Sequence, residues 1–365
     1  MRLEDLDYFL PQSQIAQRPP DRRESSRLLL LNKERGGFED RLFAEFPSML
    51  RGDELLVLNN ARVIPARLFG RRATARANNS DQKTPVGHPP AKIEVFLSHQ
   101  LDPQTWQALV RPGRKMQLGA RVLFGEGELE AEVIERGDLG LRTLHFVSHD
   151  IHTISEHFEH LGHVPLPPYI DRADELSDRE RYQTVFAKNP GAIAAPTAGL
   201  HFTAEILDKI RARGVEVCEL TLDVGIGTFL PIKSETLEGH VMHAESYEIS
   251  AKTADRIQSA RADNRPILAV GTTAVRALED SALRAFQSNS KELLLPGRAD
   301  ARLFITPGFS FRVVDALLTN FHLPKSTLLA LVSAFAGRER ILNAYHHAVE
   351  AGYRFYSYGD CMLIR

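Results

Sequence analysis

AAPTAGLHFTAEILDKIRARGVEVCELTL, residues 194–222, holds the three kinds of segment that decide the fold. A loop containing Pro196 and Gly199 runs to Thr203. A helix follows over 204–213, because Ile206, Leu207 and Ile210 recur on one face and Gly214 stands just past the end. Thr203 suits its N-cap, and Glu205 sits in the first turn, where the helix dipole favours an acid. VEVCELTL then reads as a strand. The same order returns downstream, with a helix over 251–262, the short apolar strand ILAV and a further helix. Helices alternating with short apolar strands predict a layered α/β domain.

The stretch 62–150 has a different pattern. AKIEVFLSHQ, TWQALVRPGRKM, ARVLFGEGELEAEVIERG and LGLRTLHFV are short alternating runs broken by turns. They predict a small antiparallel, barrel-like all-β domain. The expected organisation is a discontinuous α/β domain, 1–61 with 151–365, carrying a β domain inserted at 62–150. Residues 78–90 are polar and Pro-containing and read as a loop within the insert. HVPLPPYI, at 163–170, reads as an extended connector.

A chain of 365 residues is long for one core, which agrees with two domains. The net charge of −2 gives no global pull on nucleic acid, so any RNA site must be a local basic patch. Cys218 and Cys361 each lie in an apolar strand-like run and are expected to be buried thiols. MRLEDLDYFL is acidic and lacks an apolar core, so no signal peptide is expected there. The longest apolar run, 328–335, is too short to span a bilayer. The expected location is the cytoplasm.

Several segments group residues suited to chemistry. The loop before the 204–213 helix offers Thr197, Gly199 and His201. It can aim hydroxyls, backbone N–H groups and an imidazole at a ligand, or it is a tight turn that only satisfies backbone geometry. AVGTTAVRALE reads as strand, turn and helix, with Thr272 and Thr273 at the strand's end, where open α/β sheets bind ligands; simple capping is the alternative. Gly225 and Gly227 in VGIGTFL lack the third glycine of a dinucleotide fingerprint. They read instead as a bend that a ligand approaches closely. In VMHAESYEI, His243 and Glu245 stand two apart. On a strand they share a face and can act as acid and base; otherwise they are a surface pair. TNFHLPKSTLL sets Asn320, His322 and Lys325 before a helix that Ser326 can cap. In HFEHLGH, His157, His160 and His163 read as a solvated helix end, and no metal site is expected. Arg67, Arg71, Arg72 and Arg76 fall in a stretch without an acid, and Arg111, Arg114 and Lys115 form a second basic spot. Both suit phosphates, or are solvated loops.

Long strings, in order, carry a resemblance. They are LPQSQIAQRPPDRRESSRLL, LNNARVIPARLFG, AAPTAGLHFT, LDVGIGTF, VMHAESYEI, AVGTTAVRALE, TNFHLPKSTLLALVSAFAG and YRFYSYGDCMLI. Together they closely resemble the S-adenosylmethionine:tRNA ribosyltransferase-isomerase family of queuosine biosynthesis. The resemblance runs from Leu6 to Ile364 and is weakest at 72–92 and 281–301. It implies a discontinuous α/β domain with an all-β insert. It also implies transfer of the ribosyl part of S-adenosylmethionine onto 7-aminomethyl-7-deazaguanine at the tRNA wobble position, giving epoxyqueuosine with release of adenine and methionine. S-adenosylmethionine is then a consumed co-substrate, no metal or redox cofactor is required, and a monomer is expected. His201, His243 and Glu245 become candidates for proton transfer. Thr197, Gly199, Gly225, Gly227, Thr272, Thr273, Asn320, His322 and Lys325 become candidates for binding substrate, and the basic residues for binding tRNA. The family usually has His where this chain has Asp223; an acid there can accept a ribose hydroxyl or sit near a sulfonium.

Other classes are less well served. The chain has no G-x-S-x-G nucleophile elbow and no P-loop. A non-catalytic RNA-binding protein would bind tRNA without consuming S-adenosylmethionine. A methyltransferase would carry a glycine-rich loop after its first strand and yield S-adenosylhomocysteine.

Overall fold

The computed structural model describes every residue except 74–91, 226, 228–231 and 233. Arg76, the expected loop at 78–90, and residues 226 and 228–230 of the glycine bend lie outside the described residues. The described chain divides into two compact units, residues 1–62 with 166–365, and residues 63–165.

Along the chain the strands are β1 (Arg27–Leu31), β2 (Phe38–Leu42), β3 (Leu55–Asn59), β4 (Ala61–Val63), β5 (Arg67–Arg72), β6 (Lys92–Gln100), β7 (Thr105–Arg111), β8 (Arg121–Phe124) and β9 (Leu129–Arg136). They continue as β10 (Leu141–Ser148), β11 (Asn189–Ala192), β12 (Glu216–Leu222), β13 (Glu245–Ile249), β14 (Ile267–Val270), β15 (Gly297–Ala301), β16 (Ala316–Asn320) and β17 (Cys361–Ile364). The helices are α1 (Phe46–Met49), α2 (Ile154–Leu161), α3 (Asp178–Arg181), α4 (Ala204–Ala212), α5 (Ala251–Ala262), α6 (Thr272–Gln287), α7 (Thr327–Ala336) and α8 (Arg338–Glu350).

The first unit is built on a sheet ordered β15-β13-β12-β3-β14-β16-β17-β1-β2. Its centre, β12-β3-β14-β16, is parallel. β3, β14, β16 and β17 are buried along their whole length, which is why LLVLN, ILAV, ALLTN and CMLI are nearly unbroken apolar runs. One sheet face packs against α5 to α8 through residues such as Ile257, Ala274, Leu278, Leu329 and Ile341. The other packs against α4 and α1 through Ile206, Leu207, Ile210 and Phe46. The result is a three-layer α/β arrangement. Thr203 caps α4 as its sequence predicts, its hydroxyl accepting from the Ile206 N–H at 3.2 Å. Cys218 and Cys361 are free and buried, and burial pushes the Cys218 thiol up to about 12.

The second unit is a closed antiparallel barrel, ordered β10-β7-β6-β5-β8-β9. Its strands alternate as a barrel wall requires: Ile93, Val95 and Leu97 of β6 are buried, while Lys92, Glu94 and Phe96 face outward or are half-buried. α2 follows in the same unit, opened by a Thr153–Glu156 capping box. Here one expectation needs correcting. His157 is not part of a solvated helix end; it is buried, with Nε2 3.0 Å from both Asp150 and Ser148. Phe158 beside it packs on Trp106 and Phe146, and that carries this side of α2 inward.

Candidate active site

After β3 the chain next enters the main sheet at β12, on one side of β3, and later at β14, on the other. Ligands in open α/β sheets bind beyond the strand ends at such a reversal. A cavity of about 170 Å³ lies there. Three segments named by the sequence line it: Ala194–Ala198 before α4, Gly271–Thr273 after β14, and the run from Thr319 to Leu328 around the end of β16.

Gly271 has φ +89°, a conformation that other residues rarely adopt, and it is the N-cap of α6. Neither Thr272 nor Thr273 caps the helix; Thr273 Oγ1 instead accepts from Asn59 Nδ2 at 3.3 Å. The first-turn amides of α6 therefore have no side-chain cap. Thr272 and Thr197 stand on the cavity wall beside them. Gly199 does not line the cavity. A Cβ there would sit 2.6 Å from Phe186 and 2.8 Å from Thr184, so this glycine permits close packing.

His322 lines the cavity and is buried. Its Nε2 is 2.9 Å from the Thr319 hydroxyl, its N–H donates to the Tyr345 hydroxyl, and its carbonyl accepts from the Tyr8 hydroxyl. Burial pushes its pKa down to about 3, so the ring is neutral near pH 7. Lys325 also lines the cavity, with its ammonium 2.9 Å from Asp7, which raises its pKa. Asn320 completes the polar wall.

His201 sits outside this cavity, behind Asn320. Its Nδ1 is 2.9 Å from Ser26 Oγ, and its Nε2 is 3.3 Å from the Asn320 amide nitrogen. Burial, helped by the nearby Arg23 charge, lowers its pKa to about 3. It borders a much smaller pocket with Arg23, Arg181 and Tyr358.

The large side chains of this cavity that sequence reasoning missed are aromatic. Tyr169, Tyr182 and Tyr356 line the main cavity, and the rings of Tyr169 and Tyr356 stack at 4.5 Å. Tyr356 and Ser357 come from YRFYSYGDCMLI, whose density of aromatic and hydroxyl side chains is the available signal. Tyr169 lies in the proline-rich connector and carries none.

His243 and Glu245 border a second, smaller cavity with Gly227, His240 and Arg276. Thr327 and Leu328, at the start of α7, line both cavities. Strand β13 begins at Glu245, so the expected alternation does not reach His243. The His243 side chain is exposed and Glu245 is buried. Glu245 is ion-paired with Arg276 and accepts from the Gly225 N–H at 3.1 Å. Asp223 opens onto neither space. It borders a larger polar cavity of about 710 Å³ with Asn60, Lys188, Glu219 and Arg298, while its neighbour Val224 faces the first.

On the barrel, Arg71, Arg72, Arg111, Arg114 and Lys115 are exposed, and none forms an ion pair among the described residues. Arg67 is half-buried and paired with Glu94 at 3.3 Å. Lys92, opposite Arg71 in the β5–β6 register, adds a cation that the sequence did not single out; its ammonium sits 3.8 Å over the Phe69 ring. Among the described residues, no His, Cys, Asp and Glu group has the arrangement to hold a metal ion, and no helix is long and apolar enough to cross a membrane.

Residues 3–364 match the model of a family described as queuosine biosynthesis protein. Over their full lengths the chain is 49% identical to the S-adenosylmethionine:tRNA ribosyltransferase-isomerase of Solibacter usitatus and 47% identical to that of Moorella thermoacetica. A crystal structure of S-adenosylmethionine tRNA ribosyltransferase from Thermotoga maritima covers 99% of this chain and all of its own, at 34% identity and a TM-score of 0.52.

Proposed function

The chain belongs to the queuosine biosynthesis protein family, and from that premise we propose how its cavities serve the chemistry. It is a ribosyltransferase-isomerase that takes its ribosyl group from S-adenosylmethionine and acts on tRNA. The finer reading is that the acceptor is the aminomethyl group of 7-aminomethyl-7-deazaguanine at the wobble position. The product is then epoxyqueuosine-tRNA, with adenine and methionine leaving.

One observation supports this reading most: a cavity with stacked tyrosines and a neutral imidazole, set where the parallel strands reverse order. S-adenosylmethionine is a flat base and a cation joined by a ribose. Aromatic rings suit the base and also attract a sulfonium. A neutral His322 places no like charge beside that sulfonium. Thr197, Thr272, Thr273 and Asn320 supply hydrogen bonds to the ribose and the base. Ribosyl transfer needs a base for the acidic proton next to sulfur and a donor for the departing adenine. His243 is the accessible imidazole at the adjoining cavity, and Glu245 stands behind it, ion-paired with Arg276. Gly225 donates its N–H to Glu245, and Gly227 borders the same cavity. Exposed cations on the barrel are offered for tRNA phosphates, and a monomer suffices for all of these roles.

A product assay tests the reaction class. With S-adenosylmethionine and tRNA carrying the aminomethyl base, adenine and methionine should appear in equal amounts. S-adenosylhomocysteine in their place would make the protein a methyltransferase. Binding of tRNA with no consumption of S-adenosylmethionine would make it a binding protein.

A further inference from the structure

We propose that Asn320 recognises the purine of S-adenosylmethionine: its carboxamide oxygen accepts from the exocyclic amino group, and His201 with Ser26 holds the amide in that orientation. The proposal rests on the ribosyl-transfer reading of the same cavity.

Asn320 ends β16, is 3% exposed and lines the cavity. Its amide nitrogen lies 3.0 Å from the Tyr356 carbonyl, 3.4 Å from the Asp360 carbonyl and 3.3 Å from His201 Nε2. The chain of bonds behind it sets the tautomer. The Ser26 hydroxyl donates to the Arg23 carbonyl at 3.2 Å, so it accepts from His201 Nδ1–H. Nε2 then carries a lone pair and accepts from Asn320. Three acceptors thus converge on the amide nitrogen. A flipped amide would set its oxygen against two carbonyls and that lone pair, so chemistry decides the orientation.

The amide oxygen is left over. It is buried and accepts no hydrogen bond among the described residues. A buried acceptor is costly to leave unpaired, so it selects a ligand with a matching donor. S-adenosylmethionine offers two nitrogen donors. The α-ammonium is charged and would lose its water to a neutral amide in a cavity that, among the described residues, no acidic side chain lines. The adenine amino group is neutral, planar and suited to a slot beside stacked tyrosines. His201 does not reach the ligand, so it is a positioning residue.

Titration calorimetry tests the proposal with S-adenosylmethionine, its analogue with hydrogen in place of the 6-amino group, and its analogue lacking the methionine α-amino group. Wild-type protein should bind the 6-deamino analogue about 10- to 100-fold more weakly than S-adenosylmethionine. In Asn320→Ser that gap should close, while the penalty for losing the α-amino group should stay as in wild type. His201→Gln keeps a side-chain acceptor for the amide and should retain most of the discrimination, whereas His201→Leu should lose it. Wild-type protein that binds the 6-deamino analogue as tightly as S-adenosylmethionine would overturn the proposal, whatever the variants do. So would an α-amino penalty that vanishes in Asn320→Ser. Release of adenine and methionine by the wild-type enzyme, measured separately, tests the ribosyl-transfer reading itself.

Discussion

His201 and His322 are neutral near pH 7 because burial keeps water from the imidazolium, and at His201 the Arg23 charge adds repulsion. Their folded pKa values, about 3, lie below the ordinary 6.5. Unfolding therefore takes up protons once the pH falls below about 6.5. The stability that each contributes is present above that pH and declines as the pH drops toward 3. The slope is about 1.4 kcal/mol per pH unit for each ring. Thermal melts between pH 6.5 and 5, above the range where ordinary carboxylates titrate, should show a falling Tm. His322→Gln should flatten that decline. An equally steep decline in the variant would assign acid sensitivity to other groups. His201 was nominated on residue type and loop context, and it stands outside the main cavity, against Asn320. The sequence could not show that its two nitrogens meet Ser26 and Asn320, because those contacts join residues 175 and 119 positions away.

Helix starts are where local sequence and the site meet most directly. Ser326 caps α7, its hydroxyl accepting from the Leu329 N–H at 3.1 Å, and the next two residues line both cavities. Ser326→Ala should cost about 1 kcal/mol of stability, the usual cost of losing such a cap. It should also raise the KM for S-adenosylmethionine, because Thr327 and Leu328 lose their anchor. Ser326→Asp, which can also cap, should restore both. A KM unchanged in the alanine variant would show that the start of α7 does not shape the binding site. This cap, like that of α4, is legible in TNFHLPKSTLL and AAPTAGLHFT because capping is a contact three residues long. The start of β13 was not legible. Alternation in VMHAESYEI extends on paper to His243, but pairing with β15 begins only at Glu245 and pairing with β12 only at Tyr247. A strand ends where its partners end, whatever its own pattern.

At the scale of the whole molecule, the tRNA contacts proposed here are charges that stay in water. Arg71, Arg72 and Arg111 are exposed, whereas Arg67 is tied to Glu94. Replacing each exposed arginine with alanine should lower the log–log salt dependence of tRNA binding by about 0.7 to 0.9 per lost phosphate contact. Arg67→Ala should change it less. An equal effect at all four positions, or none at any, would remove the barrel from the tRNA surface. The sequence by itself determined the two structural classes of this protein. Continuous apolar runs specify strands buried on both faces, and alternating runs specify a barrel wall, since each pattern follows from how many sides of a strand meet water. It also determined the caps of α4 and α7 and, through long ordered strings, the family. Only the tertiary structure decided which candidates share a cavity. Thr197, Thr272, Asn320, His322 and Lys325 come together because the parallel strands end at one edge of the sheet. Gly199 turns away to let Phe186 pack, and Asp223 and Val224 open onto different spaces. Tyr169 joins the site from a connector with no signal of its own. Such neighbours are set by strand order and side-chain packing between distant segments, and local pattern encodes neither.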